Sequence, residues 1–271
     1  MPPVKGFLFV LLGIISVLLL AAPLRAEDKN MVVLLSLEWP PYTGVKLPAN
    51  GFTAKRVKAA YAAQGQEAKI GFYPWRRAMR LPYTDHRFTG FFPTYPSAER
   101  KQVCYLSDPV GVSPVGLAEL RKKPLGWKRI EDLTPYRIGV VTAYANEDSF
   151  DRLVKNGSIK TTNSETDADN LLHLLSGRID AAVIDIHVFD WLLAHDVRLQ
   201  PYRDRLQMNE RLLVTWPTFV CFRKDAEGAA LRDQFNAGLA SLHDEVSQAQ
   251  DKDIKAGKAA SAGKPGIKPR Q

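Results

Sequence analysis

The stretch Ala168-Asp169-Asn170-Leu171-Leu172-His173-Leu174-Leu175-Ser176-Gly177-Arg178-Ile179-Asp180-Ala181-Ala182-Val183-Ile184-Asp185 carries a helix signal and a strand signal in direct succession. Ala168, Leu171, Leu172 and Leu175 stand at i, i+3, i+4 and i+7, which places them on one face of a helix. Gly177 is the expected stop, because glycine takes the left-handed conformation that closes a helix. Ile179 to Ile184 is then a nearly continuous apolar run, the pattern of a strand that a parallel sheet covers on both faces.

The same alternation extends in both directions. Upstream, Met31 to Leu37 reads as a strand, followed by the loop Trp39-Pro40-Pro41-Tyr42. Gly51 to Ala63 reads as a helix with Val57, Ala60 and Tyr61 on one face. Ala68 to Tyr73 is a strand, and Pro74 opens a short helix through Met79, a position proline favours. Arg87 to Phe92 is a third strand, Ser97 starts a turn or short helix ending near Gln102, and Val103 to Leu106 and Val112 to Leu120 are extended around the break Ser107-Asp108-Pro109. A second series follows the basic turn Arg121 to Pro124. It comprises a strand at Arg137 to Thr142, a helix at Asn146 to Val154 and a strand at Ser158 to Thr162. After the opening stretch come a helix at His187 to His195, an extended segment at Leu212 to Phe222 interrupted by Pro217, and a last helix at Ala229 to Val246. Strands alternating with helices predict an α/β fold with mainly parallel sheets. Two such series, joined by extended stretches near residues 110 and 221, predict two lobes with two crossings.

Met1 to Ala26 reads as a cleavable secretory signal. Lys5 supplies its positive end, Phe7 to Ala22 is apolar and free of charge, Pro23 breaks the helix, and Leu24-Arg25-Ala26 fits the cleavage site. The run falls short of the ~20 residues a spanning helix needs, and no Cys near its end offers lipid attachment. The expected product starts at Glu27, free and soluble in a bacterial periplasm. Removing 26 of the 271 residues leaves 245, enough for two lobes with separate cores.

The formal charge of +8 is concentrated at the chain ends. Lys5 and Arg25 leave with the signal. The tail 249–271 carries Lys252, Lys255, Lys258, Lys264, Lys268 and Arg270 against Asp251 and Asp253, and its composition predicts disorder. The folded body is left near neutral, which argues against a nucleic-acid partner. Cys104 and Cys221 are the only cysteines. In an oxidising compartment they read equally as one disulfide or as two small buried residues in apolar runs.

Enzyme constellations are thin. The five His residues form no HExxH or compact metal-ligand spacing. Ser113 and Ser241 lack the glycines of a nucleophile elbow, and no Gly-rich loop follows a strand. Asp180 and Asp185 flank one strand at an odd separation, which puts them on opposite faces. No cofactor or metal is expected.

The order Trp39-Pro40-Pro41-Tyr42, Pro74-Trp75-Arg76-Arg77-Ala78, Glu99-Arg100, Ser107-Asp108-Pro109 and Gly177-Arg178-Ile179-Asp180-Ala181-Ala182 resembles the bacterial extracellular solute-binding proteins of the polar amino-acid type. These are the periplasmic receptors of ABC importers, and the resemblance runs from Val32 to Leu242. It implies the type II periplasmic binding protein architecture, two α/β lobes joined by two crossing hinge strands and closing on a ligand. Residues 27–110 with 222–248 would form lobe 1, and 111–221 lobe 2.

The resemblance also implies ligand contacts. Arg100, in Ser97-Ala98-Glu99-Arg100, matches the Arg that clamps a ligand carboxylate, a role suited to a planar guanidinium fork. Asp185 matches the Asp that receives an α-ammonium, and it also reads as an N-cap for the helix that follows. Two departures from the family pattern replace small hydroxyl residues with aromatic ones. Thr94 stands alone between Pro93 and Tyr95, and the turn Thr142-Ala143-Tyr144-Ala145 replaces a Gly-Thr-rich one. Trp39, Tyr42, Tyr95 and Tyr144 are therefore candidates to stack on an aromatic or cyclic ligand, Arg76 is a further contact candidate, and Trp75 reads as core. The expected function is that of a monomeric periplasmic receptor, not an enzyme, delivering an amino-acid-like solute to an ABC permease. The alternatives are a cyclohexadienyl dehydratase-like enzyme on the same scaffold, or a sensory or accessory binding protein without a transporter.

Overall fold

The computed structural model describes residues 31–242; the expected signal and the basic tail lie outside the described residues. Near the N-terminus, β1 (Met31–Ser36) lies between β2 (Glu67–Phe72) and β3 (Gly90–Thr94) and is parallel to both, with Leu34 opposite Ile70 and Gly90. α1 (Phe52–Ala62) makes the crossover from β1 to β2, and the face anticipated from its periodicity, Val57, Ala60 and Tyr61, is fully buried. β3 starts three residues later than expected. Arg87 is instead held in a turn, where Asp85 Oδ1 accepts from its backbone N–H at 3.1 Å.

The second lobe repeats the plan. β6 (Arg137–Val141) is parallel to β7 (Lys160–Ser164) and to β8 (Ala181–Asp185), and α4 (Asp148–Lys155) and α5 (Asp167–Leu175) make the connections. α4 begins at Asp148 because the Glu147 side chain caps it, accepting from Phe150 N at 2.7 Å. Gly177 takes φ +73°, as its role as helix stop requires. α6 (Ile186–His195) follows β8 directly.

Two long strands join the halves. β5 (Gly111–Leu120) and β9 (Leu206–Arg223) pair antiparallel from Gly111–Thr218 to Leu120–Leu206. The far end of β9 continues into the first lobe, where it pairs with β3 and with β4 (Cys104–Leu106). Each lobe thus has a parallel three-strand core, and its junction is antiparallel. Pro217 does not interrupt β9, which runs for 18 residues. The final helix α7, described over 226–242, returns to the first lobe and buries Phe235 and Leu239 beside Tyr61 and Phe222. Gly238 permits that contact, since a Cβ there would lie 2.0 Å from the Ala60 carbonyl oxygen.

Cys104 and Cys221 form a disulfide with Cα atoms 5.6 Å apart, settling the alternative that their sequence context left open. It ties β4 and α3 (Ala98–Val103) to the crossing strand. Among the described residues no helix is long and apolar enough to cross a membrane.

Candidate functional site

Between the lobes lies a narrow inner cavity. Leu37, Trp39, Trp75, Thr94, Tyr95 and Arg100 line it from the first lobe, Tyr144 and Ala145 from the second. Its volume of about 30 Å³ has room for water but not for an amino acid. Through Trp75 and Tyr144 it continues into an outer cleft of about 530 Å³, whose walls carry Glu38 and Arg76 on one side and Glu165 and Asp167 on the other. The outer cleft falls within the usual size range of ligand sites.

Arg100 is positioned by the start of α3, where Ser97 Oγ accepts from its backbone N–H at 3.2 Å. The guanidinium lies 5.7 Å from the Phe91 ring centroid, and Nη2 points at Met79 Sδ. A thioether is a weak acceptor. Arg100 forms no ion pair with any described residue, so its charge faces the cavity without a carboxylate. Burial pushes its pKa down from the usual value, with Glu99 and Tyr83 opposing that shift.

Asp185 closes β8 and is 3 % exposed. Oδ1 accepts from the N–H groups of His187 at 2.7 Å and Val188 at 3.0 Å, which is the N-cap expected from sequence. Oδ2 accepts from Ser113 Oγ at 2.6 Å and from Tyr42 Oη at 2.9 Å. Tyr95 Oη lies 2.8 Å from Ser113 Oγ, and because Ser113 donates to Asp185, Tyr95 donates to Ser113. The place expected for a ligand ammonium is therefore occupied by the protein's own hydroxyls. Burial raises the Asp185 pKa, and the bonds from Ser113, Val188, Tyr42 and His187 oppose that rise.

Trp39, Tyr42 and Tyr95 are in ring contact, and Tyr144 lines the same inner cavity as Trp39 and Tyr95. Trp39 stacks on Tyr42 with ring centroids 4.5 Å apart and meets Tyr95 edge-on at 6.4 Å. Trp39 is 5 % exposed, yet its Nε1–H has no acceptor among the described residues. Such an orphaned buried donor beside a cavity is a place for a ligand oxygen. Leu37, Trp39 and Tyr42 also pack into the apolar cluster around Ile184, Val188 and Phe189, so the lobes touch through a continuous core.

Thr94 is buried at the end of β3 and lines the inner cavity, whereas Arg76 stands exposed at the mouth of the outer cleft. Arg77 turns away to the Tyr73 ring, 4.9 Å from its centroid. Trp75 corrects an expectation. It meets Phe91 edge-on at 5.5 Å but is only partly buried and lines both cavities, because α2 (Trp75–Arg80) is a short six-residue helix at the cleft edge.

Two residues escaped the sequence reading. Ser113 carries no motif, and its role arises only from the β5–β8 pairing that places it beside Asp185. Asp167, first residue of α5, is 7 % exposed and lines the cleft. Among the described residues its one partner from another residue is Tyr144 Oη, donating to Oδ2 at 3.3 Å. Burial pushes its carboxyl up to about 7, against the Tyr144 bond, and the nearby Asp185 charge adds to the rise. The visible sequence signal was the cap, Thr166 accepting from Asp169 N at 3.1 Å; nothing local marks the acid beside it as buried. Among the described residues no group of His, Cys, Asp or Glu is placed to hold a metal ion.

No family model matches the chain, and no curated protein does either. Solved structures do. A histidine kinase sensor domain with similarity to periplasmic binding proteins aligns at TM-score 0.69 and 18% identity, covering 84% of this chain and 95% of that one. An ancestral arginine-binding protein bound to arginine aligns at TM-score 0.66 and 18% identity over 82% and 96% of the two chains. The ancestral amino acid-binding protein AncCDT-1, a precursor of cyclohexadienyl dehydratase, aligns at TM-score 0.64 and 17% identity over 82% and 93%. Nearly the whole length of each is matched by both lobes of this chain, which therefore has the two-lobed type II α/β fold of the periplasmic amino-acid-binding proteins.

Proposed function

We propose that the protein is a solute receptor of the bacterial periplasm that closes its two lobes on a small carboxylate-bearing ligand, an amino acid or a derivative of one, and delivers it as a monomer to an ABC importer. The observation that carries this reading is the Arg100 guanidinium, half-buried in an aromatic-walled cavity without an anionic partner. A buried cation is costly unless a counter-charge meets it, and a carboxylate supplies one with two parallel bonds. The orphaned Trp39 Nε1–H beside it offers a further donor. The disulfide fits an oxidising compartment, and neighbours of the same fold include the substrate-binding protein of an amino acid ABC transporter.

The experiment is a thermal-shift and calorimetric screen of wild type and Arg100→Ala against amino acids and organic acids. Saturating a tight ligand at about 100 times its Kd stabilises the folded state by ~2.7 kcal/mol. Wild type should gain this stability from a carboxylate and Arg100→Ala should not, with its own circular dichroism unchanged. Equal stabilisation of both proteins would remove the assignment.

A second reading, an enzyme on this scaffold, is favoured by Asp167, since a carboxyl raised to about 7 in a secluded site has the pKa of a general acid. Incubation with prephenate or arogenate would then yield an aromatic product; absence of product dismisses it for those substrates.

A further inference from the structure

Asp185 is already saturated. Four donors reach its two oxygens, and the Tyr42 hydroxyl stands on its first-lobe side. A cationic group entering the cleft would gain little there without displacing a bond the closed lobes depend on. Asp167 presents the opposite situation. It is more than nine-tenths buried, receives one long hydrogen bond from another of the described residues, and lines both the outer cleft and the narrow space between Trp39, Tyr95 and Tyr144. A buried carboxylate with spare acceptor capacity is a costly arrangement that a cation relieves.

The surroundings reinforce that sign. Asp167 shares the outer cleft with Glu38 and Glu165, and among the described residues Arg76 is the single basic residue on its walls. Arg100 lies beyond Tyr144 and Trp75, which border both cavities. The cleft thus has a positive inner end and a negative second-lobe wall, with aromatic faces between them.

We propose that Asp167, assisted by Glu165 and oriented by Tyr144, receives the cationic nitrogen of the ligand, so that the cleft selects a solute carrying a carboxylate for Arg100 and an ammonium or guanidinium for Asp167. This rests on the receptor reading above and adds the second recognition group. It also links binding to protons. The groups facing Asp167 are the Tyr144 and Tyr95 hydroxyls, the Asp185 carboxylate, and Glu38, Glu165 and Arg76 along the cleft. Ionised Asp167 accepts the cation and protonated Asp167 does not, so affinity should fall as the pH drops below about 7.

The test is isothermal titration of the mature chain with two panels. One contains L-arginine, L-lysine, L-histidine and L-phenylalanine; the other contains succinate, phenylpyruvate and 4-hydroxybenzoate, which lack a cationic nitrogen. Wild type should prefer a member of the first panel, Asp167→Asn should weaken that ligand at least about tenfold, and the pH dependence near 7 should vanish in the variant. Undiminished affinity in Asp167→Asn overturns the inference. If that variant does not fold, the pH profile of wild type decides, and a flat profile between pH 5.5 and 8 overturns it. A preference for the second panel that Arg100→Ala abolishes overturns the inference and leaves the receptor reading standing. Binding that survives Arg100→Ala removes the receptor reading, and silence of both panels removes both.

Discussion

The Tyr42 hydroxyl donates to Asp185 Oδ2 at 2.9 Å, joining residues 143 positions apart that belong to opposite lobes. Ser113 donates to the same oxygen at 2.6 Å, and Asp185 Oδ1 caps α6. Closure of this protein is therefore supported by an internal carboxylate–phenol contact before any ligand is counted. A ligand that favoured the same closed state would need to supply less differential affinity because of this contact.

Tyr42→Phe keeps the ring that stacks on Trp39 and removes only the donor. A hydrogen bond to a charged group contributes about 1.5–3 kcal/mol. The variant should lose stability of that order in urea unfolding. Small-angle scattering should also show a larger radius of gyration without ligand; an unchanged radius would mean the bond does not hold the lobes.

Asp185→Ala should cost more than the ~1 kcal/mol of an ordinary N-cap, because it strands Tyr42, Ser113 and two helix amides together. A loss above about 3 kcal/mol is expected. Asp185→Asn keeps an acceptor oxygen for the cap and should fall between wild type and Asp185→Ala. Urea denaturation of the three proteins checks the order.

The raised carboxyl of Asp167 has a definite effect on stability against pH. Its folded-state value is about 7 and its ordinary value 3.8, so the folded state holds the proton more tightly. Stability from this group is fully present below about pH 4 and is lost as pH rises through about 7. Asp167→Asn cannot ionise. Its stability relative to wild type should grow between pH 4 and pH 7 and level off above. The gain should reach a few kcal/mol, since this one group takes about 1.4 kcal/mol from wild type for each pH unit in that interval. Lowered carboxylates such as Asp180 and Asp196 are common to both proteins and cancel in the difference. Paired melting curves across that range are the measurement, and a constant difference would contradict the assignment.

The Cys104–Cys221 bridge closes a loop of chain with a sequence separation of 117 and anchors the crossing strand to the first lobe. Cys104→Ser with Cys221→Ser should lower unfolding stability by about 2–5 kcal/mol. Adding reductant to wild type should reproduce the loss, and to the double variant should change nothing.

Ala143 adopts φ +65° in the turn Thr142-Ala143-Tyr144-Ala145 after β6. The left-handed region costs a residue with a Cβ roughly 1–2 kcal/mol, partly offset by the greater unfolded-state freedom of glycine. Ala143→Gly should raise stability by up to about 1 kcal/mol in thermal unfolding, and a loss instead would show that the turn is not strained.

Much of the architecture was legible because its signals are local. The stretch Ala168 to Asp185 announces a helix, a stop and a buried strand in its own spacing, and α5, Gly177 and β8 lie within a residue or two of that reading. The same holds for the buried face of α1, for the helix start at Ser97 and for the N-cap at Asp185, where a residue and its partner lie within a turn of each other. Boundaries moved where side chains intervened, as when Asp85 held Arg87 out of β3 and Glu147 set the start of α4.

Tertiary structure decided what depends on distant residues. The disulfide required β4 and β9 to pair, a fact no spacing contains. Asp185 could be recognised as a cap and as a candidate for ammonium, but whether its oxygens were free depended on Ser113 and Tyr42, brought in by strand pairing and by lobe closure. Asp167 lay unremarked beside a capping Thr, since burial is a property of the whole fold and only burial turned it from a helix-start acid into the most perturbed carboxyl of the cleft. Sequence alone therefore determined the elements, their alternation and the arginine of the cavity. Packing determined that the Asp185 carboxylate is spent on bonds inside the protein and that the buried Asp167 carboxylate keeps spare acceptor capacity.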